Sequence, residues 1–122
     1  MTVEETKTAP VKPAISLGDL EKVDVRVGTI VSVTDVQGSD KLVRLKVRFG
    51  SFERTILAGL KQERDDLRSI EGKQALFVVN LPPKKMMGEA SEGMLFDIGY
   101  ADGITPVLAV PESVVPDGVR AG

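Results

Sequence analysis

A basic loop in the second half of the chain carries the residue types best suited to binding an anion. The apolar segment 75–79 leads into Asn80, which is followed by two prolines and by the adjacent lysines Lys84 and Lys85. Proline has no backbone N–H to donate to a β-ladder, so the prolines should end a strand and begin a stiff, extended turn. Apolar residues return at Leu95. The pattern predicts a small β scaffold that presents a basic loop.

A second group of cations lies on the alternating segment 42–49. Its apolar residues occupy one face, and Arg44, Lys46 and Arg48 occupy the other. This row has two interpretations: a solvated strand face whose charges prevent edge pairing, or a surface that binds a polyanion. The segment itself does not distinguish between them.

Catalytic chemistry has few candidate residues in this composition. The chain of 122 residues contains no histidine and no cysteine, which excludes a serine–histidine relay, a cysteine nucleophile and the commonest zinc ligands. Asp65 and Asp66 are adjacent, and neighbouring residues on a helix point in different directions, so joint metal binding is not expected. We predict that the protein is not an enzyme, with no catalytic residues, no metal site and no cofactor.

Charge and aromatic content restrict the kind of nucleic acid that the protein would bind. The net charge is -2, so a polyanion would have to be held by a local basic patch. Proteins that grip single strands stack bases on exposed aromatic rings, but this chain is only 4% aromatic. Phe49, Phe77 and Phe96 lie in apolar stretches and are expected in the core. A structured RNA, recognised by shape and backbone, therefore fits better than single-stranded DNA.

Short strands at regular intervals, without alternating helices, predict an all-β fold. The predicted strands are 23–33, 42–49, 54–60, 74–81 and 106–110, with one short helix, 63–70, between the third and the fourth. A five-stranded barrel with this helix placement is the OB-fold, which binds oligonucleotides or oligosaccharides through its strand 2–3 face and the loops after strands 1 and 4. Those loops are 35–41 and 80–94 here. Residues after 110 are expected to form a small C-terminal extension.

The chain is predicted to be one domain, 15–122, preceded by a disordered tail, 1–14. The tail is rich in Thr, Glu, Lys and Pro and has too little apolar surface to offset its ordering entropy. It is either a processing remnant or a functional arm. No apolar run approaches the ~20 residues needed to span a bilayer, and no signal peptide is recognisable. We expect a cytoplasmic location.

Two local predictions concern the start of the domain. Ser16 and Asp19 have the spacing of a capping box at the start of a short helix. In the first strand, alternation places one set of valines on the buried face, and Gly28 suggests a bend or bulge. That set is Val23, Val25, Val27, Val31 and Val33.

Five short motifs, in order, resemble the tRNA-binding domain family. They are Asp24-Val-Arg-Val-Gly28, Ser39-Asp-Lys-Leu42, Leu57-Ala-Gly59, Asn80-Leu-Pro-Pro-Lys-Lys and Ser91-Glu-Gly-Met94. The family includes the C-terminal appendage of bacterial methionyl-tRNA synthetases and stand-alone tRNA-binding proteins. The likeness runs from about Leu20 to Val119, nearly the whole predicted domain. The paired prolines depart from the usual family loop and resemble the related secretion-chaperone branch, and the acidic pI is a second departure.

The resemblance implies an OB-fold, usually dimeric, that recognises the folded shape of tRNA and helps a synthetase hold it without catalysing a reaction itself. Carried over by position, the implied tRNA contacts are Lys41, Asn80, Lys84, Lys85, Ser91 and Met94. Arg44 is added because of its place beside Lys41 on the exposed strand face. The absence of a synthetase catalytic domain from the sequence makes the chain resemble the stand-alone members.

A protein-binding function is the alternative hypothesis: an export chaperone or a docking module for a synthetase. The acidic pI and the adaptable methionines at Met86 and Met87 favour it. A homodimer is expected from the resemblance, with a seam in the C-terminal part. Its candidate residues are Ile98, Tyr100, Val114 and Val115, joined by Leu17 and Leu20.

Overall fold

The structure, a computed structural model, describes residues 7–62 and 64–122. Its elements are α1 (Leu17–Glu21), β1 (Val25–Asp35), β2 (Val43–Arg48), β3 (Glu53–Ala58), β4 (Gln74–Val78), β5 (Lys84–Met86), β6 (Glu89–Ser91), β7 (Met94–Leu95), β8 (Asp97–Ile98), β9 (Val107–Leu108) and β10 (Arg120–Ala121). Two short 3-10 helices, Leu67–Ile70 and Tyr100–Asp102, complete the described elements. None of the helices in the described ranges is long and apolar enough to cross a membrane.

One curled antiparallel sheet forms the body of the protein. Its strand order is β3-β2-β1-β4-β7, and β10 adds to β1. Two hairpins, β5–β6 and β8–β9, lie outside this sheet. A short 3-10 helix, Leu67–Ile70, lies between β3 and β4. The predicted all-β, OB-like fold with a short helix between the third and fourth strands is therefore confirmed. The predicted fifth strand, 106–110, is wrong: β7 is the fifth strand of the sheet, because Val107 and Leu108 pair with β8 instead.

The core fills the inside of the curled sheet. Ile30, Leu45, Ile56 and Phe77 are fully buried, and Phe49 packs edge to face on Phe77 with ring centroids 5.5 Å apart. Burying each of these side chains contributes roughly 1.5–3 kcal/mol of transfer free energy. The strict alternation of β2 produces this arrangement because its apolar residues all point inward. The predicted core positions of Phe49 and Phe77 are confirmed.

The first strand does not keep one buried face along its length. Its pairing with β2 shifts register between Ile30 and Ser32, which leaves Val31 as an extra residue. Ile30 lies opposite the buried Val47 and is fully buried, whereas Val31 and Val23 are exposed, so the predicted inward positions of Val31 and Val23 are wrong. The bulge lies three residues after Gly28. At Gly28 itself, a Cβ would lie 2.5 Å from Cγ1 of Val47 and 2.7 Å from Cε1 of Phe49, so this glycine permits close packing.

The N-terminal helix begins at the predicted cap. Ser16 Oγ accepts a 3.0 Å hydrogen bond from the backbone N–H of Asp19. No residue of α1 is buried, and Leu17 and Leu20 are both more than half exposed. Residues 7–16 have no regular secondary structure, and residues 1–6 of the predicted tail lie outside the described ranges, so its disorder stays a prediction.

The predicted helix 63–70 is shorter than expected. Its first residue, Glu63, lies outside the described residues, and only Leu67–Ile70 is helical, in the 3-10 form. Asp66 caps this turn by accepting from the N–H of Arg68, which is the role that a short polar side chain plays at a helix start.

The C-terminal extension is tied to the barrel through Asp117. Its Oδ1 accepts from the hydroxyl of Thr29 at 2.6 Å and from Nε2 of Gln74 at 3.0 Å, and its Oδ2 accepts from Nε of Arg48 at 3.0 Å. Gly118, with φ 88°, follows directly, and a Cβ there would overlap the carbonyl oxygen of Phe49. Only glycine fits at position 118, where the C-terminal segment passes close to the backbone of Phe49.

Candidate nucleic-acid interface

The predicted basic loop contains a hairpin. Lys84 pairs with Ser91 and Lys85 with Ala90 across β5 and β6. Met87 and Gly88, both with positive φ (49° and 79°), form the two-residue turn that a tight hairpin requires. Lys84 and Lys85 are exposed, and neither makes an ion pair within the described part of the chain. The hairpin therefore presents two free cations to solvent.

Arg44 holds this hairpin against β2. Its Nε and Nη2 each donate a 2.6 Å hydrogen bond to the carboxylate of Glu89, and its Nη1 donates to Thr34 Oγ1 at 2.8 Å. The hydrogen bonds from Arg44 lower the pKa of Glu89, and the same contact raises the pKa of Arg44. Both groups stay charged at neutral pH. The guanidinium of Arg44, a tRNA contact predicted from the sequence, is thus paired with the carboxylate of Glu89 within the protein.

The remainder of the basic row on β2 is also paired with carboxylates. Lys46 Nζ lies 3.8 Å from Glu53, and Arg48 Nε lies 3.0 Å from Asp117. Of the two interpretations of this row, the pairing favours the solvated strand face over a free polyanion-binding surface. Both partners lie outside β2, and Asp117 is 69 positions from Arg48, so alternation within the strand did not indicate them.

Lys41 lies in the loop between β1 and β2, and the residue is exposed. Ser39 shapes the loop, since its hydroxyl oxygen accepts from the backbone N–H groups of Lys41 at 3.3 Å and Leu42 at 2.9 Å. The carbonyl oxygen of Lys41 accepts from the N–H of Lys61 at 3.0 Å. No ion pair of Lys41 occurs within residues 7–62 and 64–122. Its ammonium group is available to a ligand.

Asn80 binds backbone atoms of the segment that follows α1. Its Oδ1 accepts from the N–H of Asp24 at 2.9 Å, and its Nδ2 donates to the carbonyl oxygen of Lys22 at 2.6 Å. The side chain joins the end of β4 to the start of β1. Its amide is engaged within the protein in this conformation.

Ser91 and Glu92 close the barrel at the free edge of β3. The Ser91 hydroxyl accepts from the N–H of Leu57 and donates to the carbonyl oxygen of Gly93, both at 3.0 Å. Glu92 Oε1 accepts from the N–H of Thr55 at 2.9 Å. Ser91 is 4% exposed. The side chains of Ser91 and Glu92 therefore accept hydrogen bonds from backbone N–H groups at the edge of β3, which a further strand would otherwise pair with. Ser91 has a structural role at this edge.

Met94, the last predicted contact, borders an open cavity of about 600 Å³. The cavity lies between the Lys41 loop, residues 57–62 and residues 94–100. Phe96 also lines it and is 46% exposed, so the expectation that Phe96 belongs to the core is wrong. The reason is pairing: Leu95 lies opposite Phe77 and points inward, which turns the next side chain outward. The residue pattern did not reveal Phe96 as an exposed ring, and Tyr100, which is predicted for a dimer seam, also lines the cavity.

The structure thus groups the seven predicted site residues in different ways. Lys84, Lys85 and Ser91 share one hairpin, Arg44 joins it through Glu89, and Lys41 and Met94 share the cavity. Asn80 stands at the end of β4. In the described part of the chain, no group of three or more His, Cys, Asp or Glu side chains could hold a metal ion.

Comparison with known proteins agrees with this architecture. The family model described as "Putative tRNA binding domain" matches residues 25–120. The methionine–tRNA ligase of Nitrosomonas europaea is 36% identical over 117 residues, which cover 96% of this chain and 16% of that enzyme. The methionine–tRNA ligase of Clostridium acetobutylicum is 38% identical over 111 residues, 88% of this chain and 17% of the enzyme. The chain thus spans about a sixth of the length of these relatives.

Two solved structures are similar over their whole length. The MetRS related protein from Pyrococcus horikoshii superposes with a TM-score of 0.83 at 32% identity. The match covers 91% of this chain and 100% of that protein's chain. The chaperone CsaA from Bacillus anthracis superposes with a TM-score of 0.76 at 25% identity. The match covers 90% of this chain and 100% of the chaperone chain. The sequence match, the half-barrel and the five ordered motifs agree: this chain belongs to the tRNA-binding domain family.

Proposed function

We propose that this domain binds folded tRNA through the exposed lysines Lys41, Lys84 and Lys85, and that it does so without catalysing a reaction. The observation that carries the proposal is the free charge of these three side chains on the two loops that an OB-fold uses for oligonucleotides. Cations of this kind bind the phosphate backbone and give salt-dependent affinity with little sequence preference.

The other four predicted contacts take different parts in the same proposal. Arg44 becomes a phosphate contact when an RNA phosphate displaces Glu89, and Met94 contributes apolar contact beside the cavity. Asn80 and Ser91 fix the ends of the basic loop through their hydrogen bonds to backbone atoms. The lysines therefore supply most of the affinity, and the polar side chains supply the shape of the loop.

The test is binding to total tRNA, to an unstructured RNA of matched length and to single-stranded DNA, each across a salt series. We expect tight, salt-steep binding that prefers folded tRNA. Lys84→Glu with Lys85→Glu should abolish it, or lower the salt slope by about 2 where binding remains measurable. Lys12→Glu with Lys73→Glu makes the same change in charge at exposed lysines outside both loops. Equal losses in the two double variants would refute the site.

A homodimer that assists an aminoacyl-tRNA synthetase is the proposed context. The seam would use exposed apolar side chains: Leu17, Leu20, Ile98, Tyr100 and Val114, with Val115 partly buried at its edge. Two copies would bring two basic patches to one tRNA, which raises affinity through effective concentration. Light scattering at micromolar protein should show a dimer that Ile98→Asp with Val114→Asp dissociates. A monomeric parent protein would refute the seam.

Polypeptide binding, as an export chaperone or a docking module, is the second candidate function. The exposed apolar side chains and the likeness to CsaA favour it. The salt series distinguishes the two functions, because apolar contact with a peptide is insensitive to salt and contact with phosphates is not.

A further inference from the structure

The cavity beside Lys41 has the size and lining of a binding site for a small planar group. Its volume of about 600 Å³ lies within the roughly 300–1,000 Å³ typical of small-molecule sites. The floor is apolar and consists of buried residues: Leu57, Ala58, Leu60 and Leu95. Apart from Lys41 and Met94 at its border, the proposed tRNA contacts do not involve this cavity.

Half-exposed apolar side chains form the wall of the cavity. Met94 and Phe96 are 45% and 46% exposed. Solvent reaches about half of each side chain, and a planar ring bound in the cavity against them would bury part of that surface. Aromatic rings and thioether sulfurs both make favourable contact with a π-system.

Opposite charges lie at the rim. Lys41 supplies an ammonium group that has no ion pair within the described residues, and Asp97 supplies a carboxylate, an acceptor for amino donors. A nucleotide carries the complementary set of groups: an anionic phosphate, a planar base and, in A, C and G, an exocyclic amino group. An apolar peptide side chain would fill the floor but would leave the rim cation without a partner.

We infer that this cavity receives one unpaired nucleotide of the bound RNA, with the base against Phe96 and Met94 and the phosphate beside Lys41. The inference rests on the proposed function, since it adds a base-binding site to the backbone contacts. Folded RNAs expose unstacked bases in loops, bulges and ends, and proteins commonly bind such bases by stacking on aromatic rings. The site adds a local preference for unpaired structure to binding that is otherwise dominated by phosphates.

The absence of tryptophan from the chain allows a direct test. Phe96→Trp introduces a single indole into the wall of the cavity, and a stacked base quenches indole fluorescence. Val110→Trp places the same reporter at an exposed position that does not line the cavity. We expect folded tRNA to quench the indole at position 96 and not the one at position 110. A blunt, fully paired RNA duplex of the same length should quench neither.

Affinity provides the second readout. Phe96→Ala should weaken tRNA binding about tenfold, within the range for loss of one base–aromatic stack, while Phe96→Tyr restores it. Because Phe96 is half exposed and its backbone N–H bonds to the carbonyl oxygen of Leu76, the alanine variant should keep the parent circular dichroism spectrum.

The outcomes separate the inference from the proposed function. If labelled tRNA binds, as seen by anisotropy, but the indole at position 96 is not quenched and Phe96→Ala binds like the parent, the base site is refuted and tRNA binding stands. Equal quenching by the paired duplex also refutes it. If tRNA fails to bind even at low salt, both proposals fall. If an unfolded polypeptide alters the emission at position 96 and tRNA does not, the cavity is a peptide site.

Discussion

Arg44 on β2 and Glu89 on β6 form a two-pronged contact, with both guanidinium–carboxylate hydrogen bonds at 2.6 Å. The pair joins residues 45 positions apart and orients the hairpin that carries Lys84 and Lys85. It also places an acidic group among the cations proposed to bind phosphate. The same contact therefore orders the basic hairpin and reduces its charge.

Replacing Glu89 should release Arg44 to a phosphate. Glu89→Gln keeps a hydrogen-bond acceptor but removes the negative charge, so tRNA affinity should rise and the salt slope should steepen by about 1. A salt series by fluorescence anisotropy measures both quantities. Glu112→Gln, at an exposed residue outside the hairpin, makes the same change in net charge. If both variants gain affinity equally, the effect is long-range charge alone.

Ser91→Ala separates a structural role from an RNA contact. The change leaves the buried N–H of Leu57 without its partner, which should lower the free energy of unfolding by about 1–3 kcal/mol. Ser113→Ala, at an exposed position, should not change stability. Urea denaturation measures the difference, and tRNA affinity of the folded variant should fall far less than that of Lys84→Glu with Lys85→Glu. Loss of affinity at parent stability would identify Ser91 as a direct contact instead.

Asp117 should make the free energy of unfolding depend on pH in the acidic range. Burial opposes its charge, but hydrogen bonds from Thr29, Gln74 and Arg48 favour the charge more, and its pKa lies below the ordinary 3.8. As the pH falls below about 4, the unfolded chain binds this proton before the folded protein does, so stability is lost towards the lower, folded pKa. Above that range the contribution is complete.

Asp117→Asn tests whether the charge of Asp117 causes this pH dependence of stability. The variant should be less stable than the parent at pH 7, and the difference should shrink as the pH falls below about 4, because the unfolded parent chain binds the Asp117 proton there before the folded protein does. Urea denaturation between pH 7 and pH 3 measures it. Asp40→Asn at an exposed turn is the matched control. A difference that is independent of pH would mean that packing, and not the carboxylate charge, anchors the C-terminal segment.

The fold was predictable because its strands alternate. In β2, every second residue is apolar and buried, and the apolar face read from the sequence is the face that packs inward. The spacing of the strands and the helix between the third and the fourth indicated the barrel by analogy with the OB-fold. Alternation failed at Val31, the extra residue of the bulge, which is exposed while Ile30 is buried, and at Val23, which precedes the strand and is exposed. A bulge depends on the partner strand, so the pattern within β1 does not reveal it.

The site was predictable in its loops and not in its contacts. The basic residues of both loops could be read directly, but the partners of Arg44 and Arg48 lie 45 and 69 positions away. The burial of Ser91 has the same origin, because the N–H group that it accepts from belongs to β3. Long-range pairs of this kind follow from the closure of the barrel, which local sequence does not encode.

Gly28 places a restriction on how this sequence can change. The space of its missing side chain is filled by Val47 and Phe49 on the neighbouring strand. A larger residue at position 28 can appear only after those two positions have become smaller, and the reverse change has to follow the opposite order. Positions 28, 47 and 49 should therefore vary together among homologous sequences, so that this corner of the barrel is inherited as a unit while the loops diverge.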